Sequence, residues 1–239
     1  RKGKDQFYIY YRDLAVLLSL GMTPKEIMLG YLARAGEPLS GARQFPTHGA
    51  YPKYKIVNLS NVVGTQIPQA VGAALASKMR GEDTVTIVYF GDGASSVGDC
   101  HEAMNFAAIH SLPVIFFCEN NGYAEATPVE YAVAGVSVAG RAAGYDIPGV
   151  QADGMSALEM YEVGGEAISR ARAGDGPTLI EAMTYRYFGH FGADNPLAYR
   201  SEEEEARYKA RDCIKHLGAY MVQLAEADSR HYVDLSRAF

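Results

Sequence analysis

Three short apolar runs, VTIVYF at 85–90, PVIFFC at 113–118 and PTLIEAM at 177–183, limit the possible folds of this chain more than any other feature. Each is rich in β-branched or aromatic residues, too short for a helix and bounded by turn formers, as strands covered on both faces tend to be. Helical patterns lie between them. Residues 67–79 (IPQAVGAALASKM) carry small and apolar side chains at close intervals, with Pro68 where a first turn tolerates it. Residues 101–110 (HEAMNFAAIH) supply a second helix, and residues 157–173 a third, broken only by Gly164 and Gly165. Strand and helix alternate. The expected fold class is therefore α/β, a doubly wound, mostly parallel sheet with right-handed crossovers, whose ligands sit beyond the carboxyl ends of the strands.

The 239 residues fit one domain over 1–239, with helical character restored in a C-terminal part over 201–239. A formal charge of −6 without a basic cluster argues against a nucleic-acid partner. No apolar run approaches the ~20 residues that span a bilayer, and the N-terminus lacks the apolar core of a secretory signal. Cys100, Cys118 and Cys213 are odd in number and lack CxxC spacing, so they suggest a reducing compartment rather than a disulfide framework or a zinc site. Residues 36–60 are crowded with turn formers and read as a long loop over the sheet edge. Residues 185–200 read as a second long loop, and such loops are often functional. The acidic block Glu202 to Glu205 reads as a solvated helix start, where carboxylates suit the positive end of the dipole.

The chemistry concentrates between Gly91 and Tyr123. Gly91-Asp92-Gly93 follows one predicted strand and Asn120-Asn121 follows the next, with a helix between, so both turns face one crevice. Glycines let a backbone approach a phosphate, and amides at a following helix start favour anions. A carboxylate in that turn would repel a diphosphate unless a divalent cation bridged them. Magnesium takes about six oxygens and is usually shared between a few protein groups and substrate phosphates. Asp92, the Asn121 side-chain oxygen and a backbone carbonyl near Tyr123 supply three, and a diphosphate the rest. Gly-Asp-Gly alone is an ordinary tight turn, as is Asn-Asn-Gly. Their placement 29 positions apart, after adjacent strands, singles them out.

GDG followed some 30 residues later by NN resembles the thiamine diphosphate motif, and ENNGYA together with YRYFGH resembles the alpha subunit of the decarboxylating, first component of 2-oxo acid dehydrogenase complexes. GARQFPTH and TQIPQAVGAALA are similar to branched-chain 2-oxo acid members, whereas NNGYAEATPVEY and GHFGAD are closer to acetoin-cleaving relatives. The resemblance covers roughly residues 6 to 210. It implies a thiamine diphosphate-binding fold, thiamine diphosphate and Mg2+ as cofactors, and an α2β2 heterotetramer with the cofactor between alpha and beta chains. It further implies a small 2-oxo acid substrate, such as a branched-chain 2-oxo acid or pyruvate, and the lipoyl domain of the acyltransferase component as acyl acceptor. The expected location is cytoplasmic, or the mitochondrial matrix in a eukaryote.

By the same resemblance, Asp92, Asn121 and the Tyr123 carbonyl match the magnesium ligands, and Gly93 and Ala94 match the turn whose amides meet the diphosphate. Tyr11 and Arg12 match a Tyr-Arg pair near that diphosphate, a role suited to the rigid donor fork of arginine. His190 matches the catalytic histidine of the active-site loop, which reaches the diphosphate and the reacting centre, and a histidine there can donate to phosphate or move a proton near neutral pH. Val63 matches the apolar wedge beneath the bend of the cofactor, Asn61 a backbone contact to its aminopyrimidine, and Thr65 and Gln66 a potassium site of branched-chain relatives. His48, His101 and His110 read as structural or inconsequential. Phe188, Phe191 and Tyr123 read either as an apolar pocket or as packing.

The chain also departs from the family. A further N-terminal arm of roughly a hundred residues is expected before the Tyr-Arg pair. The loop serine phosphorylated in mitochondrial members is Phe191 here. The glutamate that activates the aminopyrimidine belongs to the beta chain in this family, and no residue here matches it. Two other readings stay open: an acetoin dehydrogenase alpha subunit, and a non-catalytic doubly wound binding module.

Overall fold

The computed structural model describes residues 4–41, 43–59, 61–135 and 137–223. Seven strands form the main sheet: β1 (Gln6–Tyr8), β2 (Gly49–Tyr51), β3 (Ile56–Leu59), β4 (Thr86–Gly91), β5 (Val114–Asn120), β8 (Gly149–Asp153) and β9 (Thr178–Met183). Two further strands, β6 (Tyr123–Ala124) and β7 (Thr127–Pro128), make a separate small hairpin. The main order is β2-β3-β1-β4-β5-β9-β8, parallel throughout except for the antiparallel β2–β3 pair.

Alternation along the central strands feeds two cores, because successive side chains point to opposite faces. Val88, Phe90, Phe116, Cys118 and Leu179 pack on one side with Ala70 and Ala74 of α3 (Gln66–Met79) and with Ala103 and Met104 of α4 (Gly98–Ile109). Ile87, Ile115 and Ile180 pack on the other with Leu17 of α1 (Leu14–Ser19), Ile27 of α2 (Pro24–Tyr31) and Ala167 and Ala171 of α6 (Ala157–Ala173). The alanines of α3, α4 and α6 let these helices ride close on the sheet. Helix α5 (Val129–Ala132) is a single turn, and α7 (Glu202–Lys209) and α8 (Cys213–Gln223) follow the last strand.

The doubly wound α/β expectation holds for this sheet, with corrections at its edges. Residues 36–60 are not one loop, since β2 and β3 lie within them and build the sheet edge. At three and four residues they are too short to show alternation, and turn formers surround them. Gly49 enters β2 at φ +130°, where a Cβ would stand 2.4 Å from the Leu39 carbonyl oxygen, so glycine is required there. Strands β1 and β8 add to the three read from the apolar runs. Gly164 and Gly165 do not break α6, which runs from a Ser156 cap to Gly174 in the left-handed region. Of the helical part expected over 201–239, α7 and α8 are seen and residues 224–239 lie outside the described residues. Among the described residues no helix is long and apolar enough to cross a membrane.

Candidate functional site

Four neighbouring parallel strands, β1, β4, β5 and β9, end at one rim of the sheet, and the chain leaving each supplies a residue to the same place. Tyr11 and Arg12 follow β1, Asp92 follows β4, Asn121 follows β5 and His190 follows β9. These residues line one cavity of about 310 Å³, together with Val63, Gly93, Ala94 and Tyr123. This is the crevice that a doubly wound sheet offers a ligand. Register explains the meeting of Asp92 and Asn121: Gly91 pairs with Glu119, so both strands stop at the same level.

Asp92 is 1% exposed, and its Oδ2 is buried without a hydrogen-bond partner among the described residues. Desolvation raises its pKa, and hydrogen bonds from the backbone amides of Asp92 itself and of Asn121 pull it back. Asn121 is also buried, and its Oδ1 accepts from the Tyr123 backbone N–H at 3.2 Å, which leaves one lone pair of that oxygen. The turn is shaped for close approach. A Cβ on Gly93 would stand 2.8 Å from that of Ala124, and one on Gly64, at φ +89°, 2.5 Å from Val97 Cγ2. Arg141 fastens the far side of the turn, donating from Nη1 to the Ser95 carbonyl at 2.6 Å and to its hydroxyl at 3.0 Å.

Among the described residues no three His, Cys, Asp or Glu side chains cluster to hold a metal. The donors here are different in kind: one buried carboxylate with a spare oxygen, one amide oxygen and nearby backbone carbonyls. Such a set is incomplete by itself and suits a hard cation that brings phosphate oxygens with it. The residues therefore fit magnesium and a diphosphate.

His190 stands between two guanidinium groups, with Nδ1 3.5 Å from Arg12 Nη2 and 3.3 Å from Arg186 Nη1. Burial lowers its pKa, and the charges of Arg12 and Arg186 lower it further. Guanidinium groups only donate, so Nδ1 is assigned as acceptor and the proton of the neutral ring to Nε2, available as a donor. Arg12 Nε is buried without a hydrogen-bond partner among the described residues. Asp194 steadies the histidine loop, accepting from the His190 N–H at 2.5 Å and the Tyr199 hydroxyl at 2.6 Å.

Several expected residues lie elsewhere. Asn61 does not line this cavity; it lines a wider outer cleft of about 1080 Å³ that shares Tyr11, Arg12 and His190 with it. Its side-chain amide donates to Gln44 Oε1 at 2.8 Å. Phe188 and Phe191 are exposed along that outer cleft and Tyr123 faces the inner cavity, so the three form neither one pocket nor a packed core. Gln66 lines the inner cavity and donates to the Tyr89 carbonyl at 3.0 Å, whereas the Thr65 hydroxyl donates to the Val62 carbonyl. His48 is more than an inconsequential loop residue. It is buried, its Nδ1 lies 2.9 Å from the Pro46 carbonyl oxygen, and its ring stacks on Tyr11 with centroids 5.7 Å apart.

The sequence reading passed over Tyr10, Gly64, Glu125 and Arg186. Arg186 offered a signal, four positions before His190 in the same aromatic run; its Nη2 donates to the Glu125 carbonyl at 2.8 Å and the Tyr199 hydroxyl at 2.7 Å. The acidic block is also not uniformly solvated. Glu204 accepts from the hydroxyls of Tyr123 and Tyr185, each at 3.0 Å, and Glu205 pairs with buried Arg200 at 2.8 Å.

Residues 1–235 match the family described as "Dehydrogenase E1 component". The chain is 47% identical over 217 residues to the 2-oxoisovalerate dehydrogenase subunit alpha of Bacillus subtilis, covering 91% of this chain and 66% of that one. It is 42% identical over 217 residues to the 3-methyl-2-oxobutanoate dehydrogenase subunit alpha of Mycobacterium tuberculosis, covering 91% and 56%. It is also 42% identical over 182 residues to the alpha subunit of the acetoin:2,6-dichlorophenolindophenol oxidoreductase of Bacillus subtilis, covering 76% and 54%. The chain thus spans from about half to just under two thirds of the length of these relatives. On the full extent of the family match, it belongs to the dehydrogenase E1 component family.

Proposed function

We propose that this chain is the alpha subunit of a thiamine diphosphate-dependent 2-oxo acid dehydrogenase, the component that decarboxylates a branched-chain 2-oxo acid or pyruvate and passes the acyl group to a lipoyl domain. The observation that carries the reading is the buried, unpartnered Asp92 oxygen beside Asn121, in a cavity shared with Arg12 and His190. When bound, thiamine diphosphate supplies the nucleophilic carbon and the electron sink that decarboxylation requires.

The residues of this chain bind and orient. Asp92, Asn121 and the Tyr123 carbonyl hold magnesium, and the amides of Gly93 and Ala94 meet the diphosphate. Arg12 directs its donor fork at the same anion, with Tyr11 packed beside it. The His190 Nε2–H donates to a phosphate or substrate oxygen, while Arg12 and Arg186 keep the ring neutral by opposing a second proton. Val63, 52% exposed at the mouth of the cavity, offers an apolar surface for the rings of the cofactor. A beta subunit completes the site by supplying the carboxylate that activates the aminopyrimidine, in an α2β2 assembly. We place the enzyme in the cytoplasm, or in the matrix of a eukaryote.

The test is reconstitution. The chain alone turns over no 2-oxo acid, and the complex with its beta subunit decarboxylates 3-methyl-2-oxobutanoate faster than pyruvate. Measurable decarboxylation by the isolated chain refutes the division of labour. A second reading, acetoin cleavage, is favoured by the 42% identity to the acetoin oxidoreductase subunit. Turnover of acetoin in preference to both 2-oxo acids would select it.

A further inference from the structure

The turn that presents Tyr123 is lightly held by its own backbone. Gly122 and Glu125 both adopt positive φ, +85° and +57°, and the hairpin that follows pairs only Tyr123 with Pro128 and Ala124 with Thr127. A ladder that short is marginal alone, and a non-glycine residue in the left-handed region stays there only when its surroundings fix it. Val129 N–H donates to the Gly122 carbonyl at 2.9 Å and Arg186 Nη2 to the Glu125 carbonyl at 2.8 Å, and the group that holds the Tyr123 side chain stands 81 positions away. The Glu204 carboxylate accepts the Tyr123 hydroxyl at 3.0 Å on each oxygen and the Tyr185 hydroxyl at 3.0 Å on Oε1. Tyr185 is itself immobile: it is 8% exposed, stacked on Tyr208 with ring centroids 3.9 Å apart, and covered by the Arg200 guanidinium.

We infer that Glu204 is a positioning residue for the cation end of the site: by joining the hydroxyls of Tyr123 and Tyr185, it ties the 121–124 turn to the exit of β9 and fixes where the Tyr123 carbonyl stands. This rests on the reading of that carbonyl as a magnesium ligand. A tyrosine has only two soft side-chain torsions, so anchoring its hydroxyl restrains its backbone. Helix α7 is thereby more than a cover. Glu204 holds the cation turn, and the neighbouring Glu205 holds Arg200, whose Nη1 donates to the Arg186 carbonyl at 2.6 Å at the base of the histidine loop.

The experiment measures, on the complex with the beta subunit, the magnesium concentration giving half-maximal binding of thiamine diphosphate by calorimetry. Glu204→Ala and Tyr123→Phe should each raise it about tenfold, the scale set by losing hydrogen bonds to a charged acceptor. The double variant should lose no more than either single one, since both remove the same link. Glu204→Gln, whose amide oxygen still accepts, should recover most of the loss. Tyr208→Leu removes the stack on Tyr185 but leaves both hydroxyl links and the Arg200 guanidinium over the ring, so it should lower the melting temperature and move the magnesium requirement far less than tenfold. A wild-type magnesium requirement in both Glu204→Ala and Tyr123→Phe overturns the inference, as does an equal shift in Tyr208→Leu, which would assign the effect to helix stability. A wild-type complex that binds thiamine diphosphate without magnesium is a separate outcome, sinking the site reading and this inference with it.

Discussion

Replacing Asp92 by alanine should cost about 30-fold or more in magnesium-dependent affinity for thiamine diphosphate, since truncating one partner of a buried charged contact costs roughly 2 to 5 kcal/mol. The reason is local. Among the described residues Asp92 is the only carboxylate lining the cavity apart from Glu125, and its Oδ2 has no hydrogen-bond partner among them. Asp92→Asn separates binding from folding. It removes a buried carboxylate whose desolvation outweighs the amides and the Arg186 charge that favour it, so the cation-free protein should melt no lower than wild type, while the cation loses its anionic ligand. Calorimetric titration of the complex and a thermal melt of the cation-free chain give the two numbers. Unchanged affinity in a folded Asp92→Ala protein would instead favour a non-catalytic binding module.

The second large effect is on stability. Glu181 lies in β9 at 0% exposure, and its two oxygens accept from Asn120 Nδ2 at 2.7 Å, the Ala139 backbone N–H at 3.0 Å and Gln151 Nε2 at 3.2 Å. Glu181→Leu keeps the volume roughly and strands the two buried donors, the Asn120 amide and the Ala139 N–H, while exposed Gln151 can turn to water. Each buried, unsatisfied group costs about 1 to 3 kcal/mol, so a loss of about 4 kcal/mol is expected, or roughly 10 °C in melting temperature for a chain of this size. Denaturant unfolding measures it directly. A loss below about 1 kcal/mol would show that water or a rearranged neighbour satisfies those donors. Because Asn120 Oδ1 also accepts the Gly122 N–H at 3.0 Å, the same change should loosen the turn that carries Asn121.

What the sequence revealed depended on how far each feature could be read from its neighbours alone. β4, β5 and β9 are six or seven residues long and buried on both faces, so their composition betrays them. β1 and β2 have three residues each, and β8, at the sheet edge, reads GVQAD with its side chains mostly exposed or half-buried. Nothing local separates those from loops. Asp92 and Asn121 were legible because each directly follows a readable strand, and parallel neighbours end together. Asn61 had no readable strand before it, so its place in the outer cleft was not legible from its neighbours. Glu204 was illegible for a different reason. A dipole argument explains all four carboxylates at the start of α7 equally well, and only the tertiary partners, Tyr123 and Tyr185, distinguish one of them.

The strand order carries a consequence for synthesis. Of the described strands β9 is synthesised last, yet it sits inside the sheet, between β5 and β8. While residues 121–177 are being made, the outer edge of β5 has no neighbour and presents a bare row of amide and carbonyl groups flanked by Ile115, Phe116 and Cys118. Such an edge is a template for pairing with another nascent chain. A holdase that shields that edge until Thr178–Met183 emerges would therefore raise the yield of native protein, and translational pausing before that segment would lower it.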